Sequence, residues 1–293
     1  MSDADLTKRI AEAKEKDLIA YLVSLGYDIQ TETGSMAIFY SPFRNEGVAS
    51  FVVNKRRNTF KDFGGDVSHK GDILDFVMLH ERCTLPKALD IILGGEKPIP
   101  HRREIVNNAP AIEILYVGDI IDTELMVYLS QRKITPPIAE KWLKQVYIRF
   151  PYGEHPEKVY SLIGWRSDSG GFEMRTRFFK LCNSPKNITT IQGDESKIII
   201  FEGFLDFLSY LVLHKVWKLK YKTIVLNSLS FLPPLIPFLV GKDVVLMIDN
   251  DPAADDMAEL LTEAGVKYED RRVGYREYND INDFLCGKKM EVV

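Results

Sequence analysis

Three segments decide how this chain is read: KIIIFEGFLDFLSYL (Lys197–Leu211), TIVLNSL (Thr223–Leu229) and DVVLMIDNDPAADDMAELL (Asp243–Leu261). Each opens on a short apolar run rich in β-branched residues, the composition of a parallel strand buried on both faces. The first and third runs pass into helical patterns, with Leu205, Leu208 and Leu211/Val212 on one face of Phe204–His214 and a second helix from Pro252 to about Gly265. Acidic residues stand where two strands end: Glu202 after Ile198–Phe201, and Asp249 and Asp251 after Val244–Ile248. Open α/β sheets place ligand sites at the carboxyl ends of their strands, so these acids are expected to share one crevice. Three close carboxylates repel one another unless a cation neutralises them, and hard oxygen donors suit Mg²⁺ or Mn²⁺ acting on phosphate substrates.

Glu202-Gly203 and Asp249-Asn250-Asp251 resemble the two acidic motifs of the TOPRIM domain, shared by bacterial-type primases, topoisomerases and some nucleases. The fuller EGFLD, Glu202 to Asp206, is similar to the primase version, and Ala253-Ala254 fits the small residues after the second motif. Asn250 stands where the family usually has Gly, a mild departure because Asn tolerates unusual backbone angles. Asn227–Ser230 replaces a turn that often contains Gly. The tail, with Asp280 and Asn282-Asp283-Phe284-Leu285, resembles a closing motif of the family. The resemblance implies a metal site of Glu202, Asp249 and Asp251, with Asp280 a further candidate ligand. Asp206, early in the following helix, is expected behind the ligands or as a charge at the helix N-terminus.

Composition narrows the class. The 293 residues suffice for two modest domains, and 45% hydrophobic with 27% charged residues is ordinary for a globular protein. No apolar run reaches membrane-spanning length, and MSDADLTKRIAEAKEKD lacks a signal-peptide core, so cytoplasm is the expected location. Cys83, Cys182 and Cys286 are scattered and form no CxxC pair, against both a disulfide framework and a thiolate zinc site. A net charge of −4 assigns any nucleic-acid binding to local basic clusters.

At the N-terminus, residues 3–25 read as one helix with Leu18, Ile19, Leu22 and Leu25 as its stripe and Gly26 as its end. Ala37–Tyr40, Ser50–Val53 and Thr59–Asp62 read as a meander of strands, followed by helices over Asp72–His80 and Thr84–Leu93. Pro42-Phe43, Asn45-Glu46, Ser50-Phe51-Val52, Phe60, Phe63-Gly64 and Gly71-Asp72-Ile73 make this block similar to the zinc-binding domain of bacterial primases. Ser41, Arg44, Asp62 and Gly65 stand at the ligand positions, a set that cannot make a thiolate–imidazole zinc centre. The expectation is a ribbon-like fold without zinc, and His69 alone does not supply a site. Lys55, Arg56 and Arg57 are either a solvated hairpin tip or phosphate contacts for single-stranded nucleic acid. Phe51, Phe60 and Phe63 are candidate stacking residues, although alternation assigns Phe51 and Phe60 to the core.

GGEKPIPHRREIVNNAPA (Gly94–Ala111) has the composition of a linker. The expected division is a ribbon-like domain over 1–93, the linker over 94–111, the first part of a core over 112–190 and the TOPRIM domain over 191–293. Two helices follow Asp122, and Tyr128-Leu129 through Arg132 resembles the opening of the primase core. Tyr147–Pro151, Val159–Arg166 and Gly171–Phe179 read as strands, with a turn at Asp168–Gly171. Alternation places Arg175, Arg177 and Phe179 on one face of the third strand. Unpaired arginines are costly to bury, so that face meets solvent, acids or phosphates. Lys180, Asn183, Ser184 and Pro185 resemble the KxxNSP segment of the primase core.

The fold class expected is therefore an α+β ribbon-like N-terminal domain joined to an α/β, TOPRIM-containing primase core. The resemblance implies a nucleotidyltransferase that makes short primers on a single-stranded DNA template from nucleoside triphosphates. Glu202 is then either a third ligand or the general base. Arg175, Arg177, Lys180, Asn183 and Arg132 would hold nucleotide or template. A helicase or relaxase is the expected protein partner, and no membrane is. The small size and the degenerate ribbon suggest, by analogy, a primase of a plasmid, phage or conjugative element. A metal-dependent TOPRIM nuclease and a catalytically silent single-strand-binding accessory protein are the rival readings.

Overall fold

Runs of β-branched and aromatic residues bounded by turn formers recur along the chain, and each becomes a strand in the computed structural model, which describes residues 3–64, 69–94 and 112–290. The chain divides into two units: Met1–Val106 with Leu229–Phe238 and Leu260–Gly265, and Asn107–Ser228 with Leu239–Glu259 and Val266–Val293. The expected linker beyond Gly94, with Gly65 of the ribbon, lies outside the described residues.

The first unit begins with α1 (Asp3–Lys14) and α2 (Leu18–Ser24), which corrects the single helix expected over 3–25. Asp17 is the reason: its carboxylate accepts the N–H groups of Ile19 and Ala20 and starts a new helix. Five antiparallel strands follow in meander order, β1 (Ile29–Glu32), β2 (Met36–Phe39), β3 (Phe51–Asn54), β4 (Thr59–Asp62) and β5 (Lys70–Gly71), two more than expected. Two helices, α3 (Ile73–His80) and α4 (Leu85–Leu93), complete the unit, α3 entered through a reciprocal capping box of Asp72 and Asp75. Phe39, Phe51, Phe60 and Phe76 pack with Leu18 and Leu22 in one core. Phe51 and Phe60 stack on each other, 4.9 Å between centroids, and are buried, so neither is a platform for bases.

Ser41, Arg44 and Asp62 meet in a closed polar network. The fully buried Asp62 accepts from Ser41 Oγ at 2.7 Å and from Arg44 Nη1 at 2.8 Å. Arg44 Nη2 also reaches Glu46 and Ser50 Oγ, both at 2.7 Å. Glu46 Oε1 in turn accepts the backbone N–H groups of Ser41 and Ser50.

In the second unit one antiparallel sheet is built from β6 (Glu113–Gly118), β7 (Lys144–Arg149), β8 (Tyr160–Arg166), β9 (Phe172–Arg175) and β10 (Lys180–Cys182), in spatial order β10-β9-β8-β7-β6. Helices α5 (Thr123–Gln131) and α6 (Pro136–Trp142) connect β6 to β7. The strand expected over 171–179 is corrected: β9 stops at Arg175 and the chain reverses. Thr176 causes the reversal, its Oγ1 accepting the N–H groups of Phe178 and Phe179 while its own N–H donates to the Phe179 carbonyl. Arg175 therefore pairs across the hairpin with Lys180, and Arg177 belongs to the turn rather than to a common strand face.

The other sheet contains β11 (Thr189–Ile191), β12 (Asp194–Phe201), β13 (Tyr221–Val225), β14 (Asp243–Met247) and β15 (Tyr268–Asp270), in order β11-β13-β12-β14-β15. All neighbours are parallel except β11, an antiparallel edge. Its connections are α7 (Phe204–Leu213), α8 (Leu232–Leu239) and α9 (Pro252–Glu263), with α10 (Ile281–Cys286) closing the chain. Ile198–Phe201 and Val244–Met247 are almost wholly buried, as two-sided strands require. From β12 the chain moves outward to β13, then crosses back to β14 on the other side of β12. The carboxyl ends of β12 and β14 thus flank the topological switch point, where such sheets bind ligands. Trp165, stacked on Phe204 at 5.8 Å, lies with Phe201 and Phe207 in a core common to β8, β12 and α7.

Candidate active site

At the end of β12 the chain delivers Glu202 and then, one helical turn on, Asp206 in the first turn of α7. At the end of β14 it delivers Asp249, and the N-terminus of α10 adds Asp280. Asp206, Asp249 and Asp280 each offer a carboxylate oxygen within 4.8 Å of the other two. Glu202 stands beside them, its Oε2 accepting the Asp249 N–H at 3.2 Å. Asp251 is not in this group: its Oδ1 takes the Ala254 N–H at 2.7 Å and caps α9. Asp280 also caps a helix, accepting the Asp283 N–H at 2.6 Å, which a carboxylate can do with one oxygen while presenting the other. Asp206, expected behind the ligands or as a helix N-terminal charge, stands in the first turn of α7 with a carboxylate oxygen close to those of Asp249 and Asp280.

Burial sets the electrostatics. It pushes the Glu202 carboxyl up to about 7, with Asp206 and Asp251 adding repulsion and the Asp249 amide opposing it. Burial likewise pushes Asp249 up to about 8, helped by Glu202, Asp280 and Asp251. Asp206 is driven well above the usual carboxylate range by its burial, then by Asp280 and Asp249. These groups exchange protons as one coupled set. Among the described residues the cations that counter them come from the β9–β10 hairpin: Lys180 lowers Glu202 and Asp249, and Arg175 lowers Asp206. Arg175 also lies 6.0 Å over the Phe204 ring at the start of α7.

Two asparagines hold the acidic loops. The Asn250 side chain donates to the carbonyls of Tyr275 and Tyr278, at 3.0 and 2.8 Å, and its backbone N–H donates to Asn279 at 2.7 Å. Buried Asn282 donates from its backbone to Asp206 Oδ1 at 3.4 Å and from its amide to Ser209 Oγ and the Arg132 carbonyl. The sequence carried a signal for both, since each is an amide inside an acidic motif, but not their partners. Tyr275, also unforeseen, donates its hydroxyl to the Ile248 carbonyl just before Asp249. Asn227 adopts a φ of 64°, the left-handed backbone that Asn tolerates better than most residues.

The remaining candidates fall elsewhere. Arg132 donates to Asn282 Oδ1 at 3.0 Å and lies over the Tyr128 ring. Asn183 accepts the Phe172 N–H at 2.6 Å and holds the neck of the β9–β10 hairpin. Lys55 is engaged with Glu32 and the Thr33 carbonyl. Arg56 and Arg57 are exposed in the β3–β4 turn, their backbone N–H groups held by Asn54.

All-oxygen, anionic and half-buried, the donor set of Asp206, Asp249 and Asp280 fits a hard divalent cation such as Mg²⁺ and does not fit the thiolate–imidazole chemistry of zinc. A Toprim-like family model matches residues 199–285, the span that holds all five acids. These residues form a Toprim-like domain. A second model, described as a domain of unknown function (DUF8464), matches residues 114–184. No curated protein matches the sequence. Among solved structures, the zinc-binding and RNA polymerase domains of the Aquifex aeolicus primase are similar at 18% identity and a TM-score of 0.39, over 97% of this chain and 86% of that one. The primase fragment of the bacteriophage T7 primase-helicase protein is similar at 15% identity and a TM-score of 0.40, over 59% of this chain and 75% of that one. A chain from the T7 lagging-strand DNA polymerase assembly with primase domains is similar at 16% identity and a TM-score of 0.36, over 48% of this chain and 76% of that one. In every described helix the apolar stretch is too short to cross a membrane.

Proposed function

We propose that this chain is a primase-type nucleotidyltransferase that joins nucleoside triphosphates into short primers on single-stranded DNA. The observation that carries the reading is the convergence of Asp206, Asp249 and Asp280 at the switch point of a Toprim-like domain, with Lys180 and Arg175 within electrostatic reach. The order of motifs along the chain, from the ribbon-like block through the basic hairpin to the three acidic motifs, supports a primase over a nuclease on the same domain.

Mg²⁺ or Mn²⁺ held by Asp206, Asp249 and Asp280 would supply Lewis-acid polarisation of phosphoryl oxygens. Glu202, with its carboxyl pushed up to about 7, is suited to accept the proton of an attacking 3′-hydroxyl near neutral pH. Lys180 and Arg175 bind the triphosphate opposite the carboxylates, Arg175 as a two-pronged donor. Asp251 keeps the loop after β14 in place by capping α9. Arg56 and Arg57 at the β3–β4 turn contact template phosphates. In this reading a ribbon-like domain over 1–93 serves a core of 112–190 and 191–293.

The test is primer synthesis. The protein is mixed with single-stranded DNA, labelled ribo- and deoxyribonucleotides and Mg²⁺ or Mn²⁺, beside an Asp249→Ala control. Short labelled products that vanish in the control are expected. Shortening of an end-labelled strand with no new products would replace the reading by the nuclease, and strand binding with neither activity by the accessory protein.

A further inference from the structure

The hairpin that brings Arg175 and Lys180 toward the acids has a second, apolar side. Its turn exposes two phenylalanines, Phe178 at 72% and Phe179 at 50% relative accessibility, where solvated turns ordinarily carry polar residues. They form the lip of a cavity of about 450 Å³. Tyr128 of α5, Phe150 just after β7, and Tyr160 and Leu162 of β8 line its floor and walls, with Phe150 edge-on to Tyr160 at 5.4 Å. Two cations at the cavity each lie over one face of an aromatic ring, leaving the opposite face to a ligand: Lys158 Nζ is 5.0 Å from the Tyr160 ring centre, and Arg177 is 5.0 Å from that of Phe178. On the α5 side Asp122 is engaged in capping its helix, and Glu124 adds carboxylate acceptors.

The chemistry of this cavity is specific in kind. Flat aromatic walls accept the face of any nucleobase, and cations at the rim accept the phosphates on either side of it. A carboxylate at the third edge accepts amino and imino hydrogens of a base, groups that a paired base has already committed. An aliphatic segment would fill the walls and leave the cations unused. An anion alone would use the cations and leave the aromatics in water.

We propose that the cavity holds one unpaired nucleotide of a single strand, its base against Phe178 and Tyr160 and its flanking phosphates on Lys158 and Arg177. The inference rests on the nucleic-acid reading above and deepens it. The same short hairpin then grips the strand at its turn and faces the carboxylates at its base, which fixes the distance from anchored nucleotide to reacting end.

Exposure makes Phe178 a safe position to truncate, so affinity can be read without loss of the fold. Fluorescence anisotropy would compare wild-type, Phe178→Ala and Phe178→Trp proteins on a labelled oligothymidylate and on the same strand with abasic sites, with ATP binding measured in parallel. Phe178→Ala is expected to weaken binding to the intact strand about tenfold, or ~1.4 kcal/mol. It should leave the abasic strand and the melting temperature unchanged, and Phe178→Trp should retain intact-strand affinity. Equal binding by wild type and Phe178→Ala overturns the cavity proposal alone. So does an equal loss on both strands, or a loss confined to ATP, which would assign the cavity to free nucleotide. Failure of the wild-type protein to bind either strand overturns both this proposal and the proposed function.

Discussion

The side-chain amide of Asn250 ties down the carbonyls of Tyr275 and Tyr278, and its backbone N–H takes that of Asn279, so the chain entering Asp280 has little freedom. Asn250 touches no carboxylate of the group, yet it fixes where the last of them stands. Groups that orient ligands in this way commonly change metal affinity 10–100-fold when removed. Asn250→Ala is therefore expected to weaken Mn²⁺ binding by about tenfold with a small change in melting temperature, measured by calorimetric titration. Unaltered affinity would mean that the 275–280 segment holds itself. The carboxylate cluster shows how far single residues can be read from sequence. Asp249 and Asp280 were legible as candidates. Asp206 was harder, because it sits among Phe204, Leu205, Phe207 and Leu208 and reads as part of a packed helix. Asp251 also carries a capping signal, as an Asp directly before a Pro that opens a helix, and its Oδ1 bonds the Ala254 N–H.

Strands β12, β13 and β14 were plain in the sequence because burial on both faces demands unbroken β-branched runs. The interruptions were not. Periodicity runs straight through Asp17 and alternation straight through Thr176, whereas both breaks are made by a side chain bonding its own backbone. The β1–β5 sheet raises a different point. Its loops are joined by the Arg44–Asp62 pair with Glu46, Ser41 and Ser50, a pairing that residue types alone do not reveal. Removing one partner of a buried ion pair commonly costs 3–5 kcal/mol because the other charge is left unpaired. Arg44 keeps a quarter of its side chain in solvent and retains Glu46, which places the effect at the low end. Asp62→Asn is expected to destabilise the first unit by about 3 kcal/mol, read from the urea midpoint. A loss under ~1 kcal/mol would put the pair in the class of surface salt bridges.

For the molecule as a whole, the acidic centre is a source of instability that a bound cation is expected to relieve. Glu202 and Asp249 titrate in the folded protein at about 7 and about 8, and Asp206 is raised as well, against ~4 for unfolded carboxyls. Between those values the folded state binds more protons than the unfolded state, so stability falls as pH rises from ~4 to ~8. A divalent cation binds the ionised carboxylates, so its stabilisation grows over the same interval. The most direct test is the melting temperature from pH 5 to pH 8, with and without Mg²⁺, for the wild-type protein and Asp206→Asn. The expected result is a decline with pH in the metal-free wild type, a Mg²⁺-dependent recovery largest at pH 8, and a shallower decline with little recovery in Asp206→Asn. A Mg²⁺ effect that is absent in the wild type, or as large in Asp206→Asn, would contradict it.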